Sequence, residues 1–224
     1  MRVALCLHGL TGTNAKYGAG ASHLDPNIAY SHFKKHLLEL DQDVDVFFHT
    51  WSQDKIEALV NLYNPVSYVS EKQPHFSDDS RTQAIFCRWA SAQRSVQLMT
   101  DSEREYDFVL LTRFDIAFLV DFRFKDFDSD RFYAQSPPGP MSNGIQLIND
   151  LWFFSSKPRM ERFTQLFDHL HERGYQNHLG SNHELARKHL INIGFNDTIS
   201  YVFKRDWCPP GETTNTPLVR WKYK

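Results

Sequence analysis

The sequence predicts an α/β fold in which a mostly parallel central sheet is flanked by helices. The chain has 224 residues, of which 41% are hydrophobic and 18 are Phe, and this is enough apolar material for a well-packed core. In the first half, short apolar runs of strand length alternate with longer amphipathic segments. This β-α-β-α-β-α-β order is typical of a parallel sheet covered by helices.

Four apolar runs provide the predicted strands of the first half. They occupy residues 2–7, 44–49, 66–70 and 108–112. Each has the length and apolar character of a strand that is buried on both faces of a sheet. The first strand is followed by a polar, glycine-bearing loop at residues 8–20. In an open α/β sheet, ligands bind at such carboxyl ends of strands, so this loop is a candidate binding element.

Three helical segments separate these strands. They are predicted at residues 28–40, 54–63 and 81–99. Asp25 suits the N-cap of the first helix, and Pro26 suits its first helical position. The third helix is the longest, and its apolar residues recur at the 3.6-residue period that predicts one buried face; they are Ile85, Trp89, Ala92, Val96 and Met99.

The second half is less regular. Strands are predicted at residues 131–135, 151–155 and 199–203, and helices at residues 157–173 and 183–193. Gly174 and Gly194 are expected to end the two helices. Residues 136–144 form a loop with strong turn chemistry, and the tail from Cys208 onward is predicted to be irregular. Because no repeat or low-complexity tract interrupts the chain, we expect one domain over residues 1–224.

Composition excludes several classes of protein. The formal net charge is −2, which argues against nucleic acid as a bulk partner. The three cysteines are odd in number and lack metal-site spacing, which fits a reducing compartment. No apolar run approaches the roughly 18 residues of a membrane span, and residues 3–7 are too few for a signal-peptide core. The sequence therefore predicts a soluble cytoplasmic protein, and it leaves peripheral membrane attachment and the oligomeric state open.

The most informative stretch joins the fourth predicted strand to a charged pair, Arg113 and Asp115. Alternate residues of a strand face the same way, so both side chains are expected to project to one side. A carboxylate placed there can hold a divalent cation or a sugar hydroxyl, and a guanidinium can hold a phosphate. The same pair is also compatible with an ordinary polar strand end.

Two other motifs resemble known sites. The segment from Leu7 to Thr13 looks like the His-Gly oxyanion loop of α/β-hydrolases, but the chain has no Gly-x-Ser-x-Gly nucleophile elbow. A hydrolase that uses His8 is therefore the least favoured hypothesis. His32 and His36 are spaced to chelate a metal from one helix face, although a half-exposed surface pair is the favoured interpretation.

Three segments together resemble landmarks of bacterial and viral glycosyltransferase-like proteins of capsule and lipopolysaccharide synthesis. They are residues 1–9 (MRVALCLHG), 44–51 (VDVFFHTW) and 106–115 (YDFVLLTRFD). The resemblance covers nearly the whole chain. It implies a Rossmann-like GT-A fold with a nucleotide-binding half at residues 1–120 and an acceptor-binding half at residues 121–224.

The resemblance implies a glycosyltransferase that moves a sugar from a nucleotide-sugar donor to a glycan or other hydroxyl acceptor in polysaccharide biosynthesis. Most GT-A enzymes carry Asp-x-Asp after the fourth strand, and this motif holds Mn²⁺ or Mg²⁺ on the donor diphosphate. The matching place here reads Arg113-Phe114-Asp115, so Asp115 is the one carboxylate left as a metal ligand. Arg113 is an alternative fixed cation for the diphosphate, or it pairs with Asp115 and does nothing else.

Three carboxylates are implied as catalytic residues. Asp115 is the candidate metal or ribose ligand, Asp150 resembles an acceptor- or sugar-binding acid, and Glu184 resembles the base of inverting members. Asp150 is also an ordinary turn residue, and Glu184 also suits the first turn of a helix. A non-catalytic nucleotide- or sugar-binding protein of the same fold remains the alternative function.

The remaining candidates would contact the nucleotide. They are His8, Gly9, Thr11, Trp51, Arg88 and Arg113. Backbone amides of the loop that begins at His8 are expected to meet the nucleotide, and Trp51 is either a stacking surface for the base or part of the core. Arg88 lies on one helix face with Arg81 and either points at phosphate or covers solvated surface.

Overall fold

The structure is a computed structural model, and it describes residues 1–11, 25–40, 42–135, 147–202 and 218–220. The strands are β1 (Arg2–Gly9), β2 (Asp43–Thr50), β3 (Ser67–Ser70), β4 (Phe108–Arg113), β5 (Ile116–Phe118), β6 (Phe132–Gln135), β7 (Asn149–Ser155), β8 (Ile199–Tyr201) and β9 (Leu218–Arg220). The helices are α1 (Pro26–Phe33), α2 (Ile56–Tyr63), α3 (Ser80–Asp101), α4 (Lys157–Thr164), α5 (Leu166–His169), α6 (Arg173–Gln176) and α7 (Asn182–Asn192).

Seven of the described strands form one sheet in the order β3-β2-β1-β4-β7-β6-β8. All pairings are parallel except those that β7 makes with β4 and β6. The predicted α/β class with a mostly parallel sheet is therefore confirmed. Successive connections from β1 lead towards β3 at one edge, and α3 then returns the chain to β4 on the other side of β1. The strand order thus reverses between β1 and β4, which is the topological switch point of an open α/β sheet.

The helices begin where capping residues satisfy their free N–H groups. The carboxylate of Asp25 accepts from the Asn27 backbone N–H at 2.9 Å, and Pro26 follows as predicted. Asp79 accepts from the Thr82 backbone N–H at 2.7 Å and starts α3. These caps fix the starts of the two helices that lie on opposite faces of β1.

Alternation along the strands divides the core into two layers. In β1, Ala4 and Cys6 pack with α3, α4 and α7, whereas Val3, Leu5 and Leu7 pack with α1 and α2. Aromatic rings fill both layers, with Phe153 and Phe163 on the α3 side and an edge-to-face cluster around Phe122 on the other. The sheet is therefore buried on both faces, as the apolar strands predicted.

Several predicted helices differ in detail. The segment predicted as one helix at 28–40 is α1 followed by a π-helical turn, Lys34–Leu38, and the segment at 54–63 starts with a 3₁₀ turn, Gln53–Lys55. The predicted helix at 157–173 is wrong as a single element. The Thr164 hydroxyl donates back to the Met160 carbonyl at 3.2 Å, and this helix-bending bond marks where α4 ends and the short α5 begins.

Gly174 was expected to end that helix but lies inside α6. Strand β5 was missed because it is only three residues long, and it pairs with β9 in a tail that was predicted to be irregular. Residues 12–20 of the first loop, the loop at 136–144, Phe203 and Cys208 lie outside the described residues. No helix in the described ranges is both long and apolar enough to cross a membrane.

Candidate functional site

A row of polar side chains crosses the sheet at the carboxyl ends of its central strands. His8 of β1 is opposite His49 of β2 and also opposite Arg113 of β4. Alternation places these three residues on the same face as Ala4 and Cys6, which is the face that α3 covers. The row therefore lies at the switch point between β1 and β4, under the first half of α3.

Helix α3 supplies a second polar layer above this row through Arg88 and Ser91. The two residues are three apart and share a helix face. The Ser91 hydroxyl oxygen accepts from the Gly9 backbone N–H at 2.8 Å and lies 2.7 Å from His49 Nδ1. Gly9 has φ +97°, a left-handed conformation that suits glycine and turns the chain sharply after β1.

His49 is held as a neutral imidazole. Burial, and then the charge of Arg94, lower its pKa from 6.5 to about 3. Its Nε2 lies 3.0 Å from the Glu71 carboxylate, so Nε2 carries the proton and Nδ1 accepts from the Ser91 hydroxyl. The Glu71 contact is thus a hydrogen bond to a neutral ring at neutral pH rather than an ion pair.

Arg113 and Asp115 form a two-point ion pair at the end of β4. Arg113 Nε donates to Asp115 Oδ1 at 2.7 Å, and Nη2 donates to Oδ2 at 2.5 Å. The Arg113 side chain is 22% exposed and the Asp115 side chain only 3%. Burial alone lowers the pKa of Arg113, but the Asp115 and Asp150 carboxylates outweigh it and raise that pKa overall. Arg113 is therefore charged at neutral pH.

A second buried ion pair joins α3 to β7. Arg88 Nη1 lies 2.6 Å from Asp150 Oδ2, and Nη2 donates to the Asp150 backbone carbonyl. The side chains are 10% and 9% exposed, respectively. On the other side of the carboxylate, His183 Nδ1 lies 3.3 Å from Asp150 Oδ1 and 3.1 Å from the Ile148 carbonyl oxygen. Asp150 therefore links helix α3 to the start of α7.

His8 lies close to both arginines. Burial first, then the charges of Arg88 and Arg113 and the His49 ring, lower the pKa of His8 well below 6.5, so its imidazole is neutral. Within the described part of the chain, its buried Nδ1 has no hydrogen-bond partner, and neither has the buried Thr11 hydroxyl. Buried polar atoms are normally paired, so both atoms are candidates for hydrogen bonds to a ligand.

The structure brings five of the predicted site residues together: His8, Arg88, Arg113, Asp115 and Asp150. The remaining candidates have other partners. The N–H groups of Gly9 and Thr11 donate to Ser91 and Ser52, so those amides of the first loop are already used inside the protein. The expectation that amides of the first loop meet the nucleotide stays a prediction, because residues 12 and 13 of that loop lie outside the described residues.

Trp51 and Glu184 have hydrogen-bond partners of their own. Trp51 is 6% exposed, and its indole N–H donates to the Cys87 carbonyl at 3.1 Å, which is the behaviour of a core residue. Glu184 is 2.6 Å from His178. His183 is the functional candidate that sequence reasoning missed, because its approach to Asp150 depends on how α7 packs beside β7.

The histidine pair of the first helix has structural partners. His32 Nδ1 is 3.1 Å from the Phe118 carbonyl oxygen, and the buried His36 is 3.0 Å from Asp121. His36 is thus more buried than the half-exposed surface residue that the sequence favoured. Arg81, on the same helix as Arg88, is exposed.

The residues around Asp115 do not fit a divalent cation. Both carboxylate oxygens already accept from Arg113, and Mg²⁺ or Mn²⁺ requires several oxygen ligands. In the described ranges, no three His, Cys, Asp or Glu side chains are grouped so that they could hold a metal ion. A dication beside Asp115 would also meet the positive charge of Arg113 at close range.

The cluster is chemically suited to an anion with several oxygens. Guanidinium groups bind phosphate oxygens in pairs, and a neutral imidazole can donate or accept one further hydrogen bond. No model of a known protein family matches the chain, and no curated protein matches it significantly. The function proposed below therefore follows from the chemistry of this cluster.

Proposed function

We propose that the protein is a glycosyltransferase that moves a sugar from a nucleotide-sugar donor to a hydroxyl group of a glycan acceptor. The observation that carries the proposal is that two largely buried arginines, Arg88 and Arg113, lie close to His8 at the switch point, where the His8 Nδ1 has no partner among the described residues. Buried charges are costly to a fold, so a cluster of this kind is a candidate functional site.

The position of the cluster supports a nucleotide ligand. The order β3-β2-β1-β4 is the one in which nucleotides bind outside the carboxyl ends of the strands, beside the reversal at β1 and β4. His8 and Arg113 end these two strands. The same sheet continues through the antiparallel β7 into the second half, where Asp150 lies. A GT-A arrangement, with donor and acceptor on one sheet, is compatible with this architecture.

The chemistry of the cluster suits the donor. During transfer, the bond between the anomeric carbon and the diphosphate oxygen breaks, and the electron pair leaves with the diphosphate. Negative charge therefore grows on the diphosphate, and fixed cations such as Arg88 and Arg113 stabilise it. Their ion pairs with Asp150 and Asp115 hold the guanidiniums in place before the ligand arrives.

The acceptor side needs a base, and His183 is the better-placed candidate. Its Nδ1 faces both Asp150 and the Ile148 carbonyl, and this contact favours the tautomer that leaves Nε2 free to accept a proton. The acceptor oxygen would form the new bond to the anomeric carbon, and its proton would pass to His183. Glu184 is the neighbouring alternative, and its carboxylate lies against His178.

A test of the proposal is to incubate the protein with UDP-, GDP- and CMP-sugars and to measure both thermal stabilisation and release of the free nucleotide. We expect one donor to raise the melting temperature and to be turned over in the presence of an acceptor glycan. If no donor in this panel binds or reacts, the proposal is wrong.

One observation favours the alternative, a non-catalytic binding protein of the same fold. Both carboxylates of the cluster are engaged by arginines, so neither is obviously available as a base. Stabilisation by one nucleotide without hydrolysis or transfer of any sugar would select this alternative. Activity on a generic ester would instead support the hydrolase hypothesis. We expect no such activity.

A further inference from the structure

The charged cluster also indicates how the donor diphosphate is held. We infer that Arg113 and Arg88 bind the diphosphate directly, with no divalent cation between phosphate and protein. The inference rests on the function proposed above, and it replaces the metal-assisted arrangement that most GT-A enzymes use.

The relative exposure of Arg113 and Asp115 is the first argument. The arginine side chain is 22% exposed and the carboxylate 3%, so a ligand arriving from solvent meets the guanidinium before the carboxylate. Arg113 uses Nε and Nη2 towards Asp115, which directs its Nη1 edge away from that carboxylate. The carboxylate thus acts as a positioning group for the arginine rather than as a metal ligand.

The second argument is the convergence of Arg88 on the same place. It reaches the cluster from α3, and Asp150 holds its guanidinium through an ion pair of 2.6 Å. His8 lies near both arginines and contributes a buried Nδ1 with no partner in the described residues. Two guanidiniums and an imidazole provide donors for several phosphate oxygens.

Calorimetric titration of the full chain with UDP, GDP and CMP, once in EDTA and once with excess MnCl₂, tests the inference. We expect at least one nucleotide to bind in EDTA, with a Kd within about twofold of the value in Mn²⁺. Binding that is detectable only with Mn²⁺ overturns the inference and leaves the proposed function standing. If none of the three binds under either condition, the proposed function fails, and the inference fails with it.

Matched variants locate the binding site. Arg113→Gln combined with Asp115→Asn keeps a neutral, hydrogen-bonding pair of similar shape, and it should weaken nucleotide binding in EDTA by about tenfold or more. Asp115→Asn alone should still bind the nucleotide, and its Kd should not depend on Mn²⁺. Arg81→Gln, an exposed change on the same helix as Arg88, should bind as the wild type does.

The melting temperature of each variant shows whether it folds. Wild-type affinity in a folded double variant contradicts the inference. So does an Asp115→Asn variant that folds and binds nucleotide only with added Mn²⁺. If the double variant does not fold, Arg88→Gln combined with Asp150→Asn provides the same comparison at the other ion pair.

Discussion

The two ends of the sheet carry the same types of charge in different surroundings. At the amino end, Arg2 lies 3.5 Å from Asp43 and 3.0 Å from Asp45, and Arg104 also approaches Asp45 at 3.0 Å. Arg2 and Arg104 are 39% and 41% exposed, respectively. At the carboxyl end, the corresponding arginines and aspartates are largely buried and adjoin neutral histidines.

This difference separates structural charges from functional ones. Exposed ion pairs contribute little to stability and cost little to maintain. Solubility and the polar ends of the strands are therefore enough to explain the charges at the amino end. Buried ion pairs are often no better for stability than apolar residues of the same size. The carboxyl-end cluster therefore makes physical sense as a binding site, and the contrast in burial between the two ends can be tested.

The largest expected effect is on stability after a matched aspartate change at each end. Asp150→Asn removes the carboxylate that pairs with the largely buried Arg88 and should lower the free energy of unfolding by about 3 kcal/mol. Asp43→Asn, at a residue whose side chain is 67% exposed, should change it by less than about 1 kcal/mol. Urea denaturation measures both values, and equal losses at the two ends would remove the contrast.

An effect of similar size, expressed as a free energy, is expected on catalysis at the carboxyl end. His183→Gln should lower the rate of sugar transfer about 100-fold while the Kd for nucleotide stays within a factor of about two, because the residue acts on the acceptor proton. Glu184→Gln is the matched control and should retain most activity. The reverse result, with Glu184→Gln inactive and His183→Gln active, would restore the assignment made from sequence.

Acid should weaken the carboxyl end, where His8 and His49 are buried as neutral imidazoles. His49 has a pKa of about 3 in the folded protein and 6.5 when unfolded, so the unfolded state binds more protons between these values. Stability is therefore complete above pH 6.5 and falls as the pH drops, by about 2 kcal/mol between pH 7 and pH 5 from this residue. His49→Asn should flatten this dependence in pH-resolved denaturation, whereas the exposed His75→Asn should leave it unchanged.

The smallest expected effect is on salt dependence. Surface ion pairs are screened at high ionic strength, so the few tenths of a kcal/mol lost in Asp43→Asn should vanish near 1 M NaCl. The loss in Asp150→Asn should persist, because the pair is shielded from solvent ions. Urea denaturation at several salt concentrations measures both losses of unfolding free energy. If the two losses decline in parallel as salt is added, the two ends of the sheet are equally hydrated.

Sequence reasoning predicted the first half of the fold well. Alternating apolar runs and amphipathic helices depend on local periodicity, and β1 to β4 and α3 follow that pattern closely. The second half was harder because its elements depend on tertiary contacts. Strand β5 is three residues long, and α4 ends where the Thr164 hydroxyl bonds back to its own helix. Neither feature has a periodic signal.

The site shows the same division between local and tertiary information. Placement of Arg113 and Asp115 at a strand end was predictable from the end of an apolar run. Their ion pair forms across a turn, because β4 ends at Arg113 and Asp115 lies in the turn that follows. The contacts of Asp150 with Arg88 and His183 could not be predicted from the sequence, because they join three elements that are far apart in sequence. His8 was selected as a loop residue, whereas it is the last buried side chain of the central strand.

A crystal structure of the full chain with a bound nucleoside diphosphate and Mn²⁺ tests the central claim most directly. We expect phosphate oxygens about 3 Å from the guanidinium nitrogens of Arg113 and Arg88, beside His8, with the base and ribose beyond the end of β1. A nucleotide bound elsewhere on the chain, or a diphosphate reached only through a metal ion on Asp115, would contradict it.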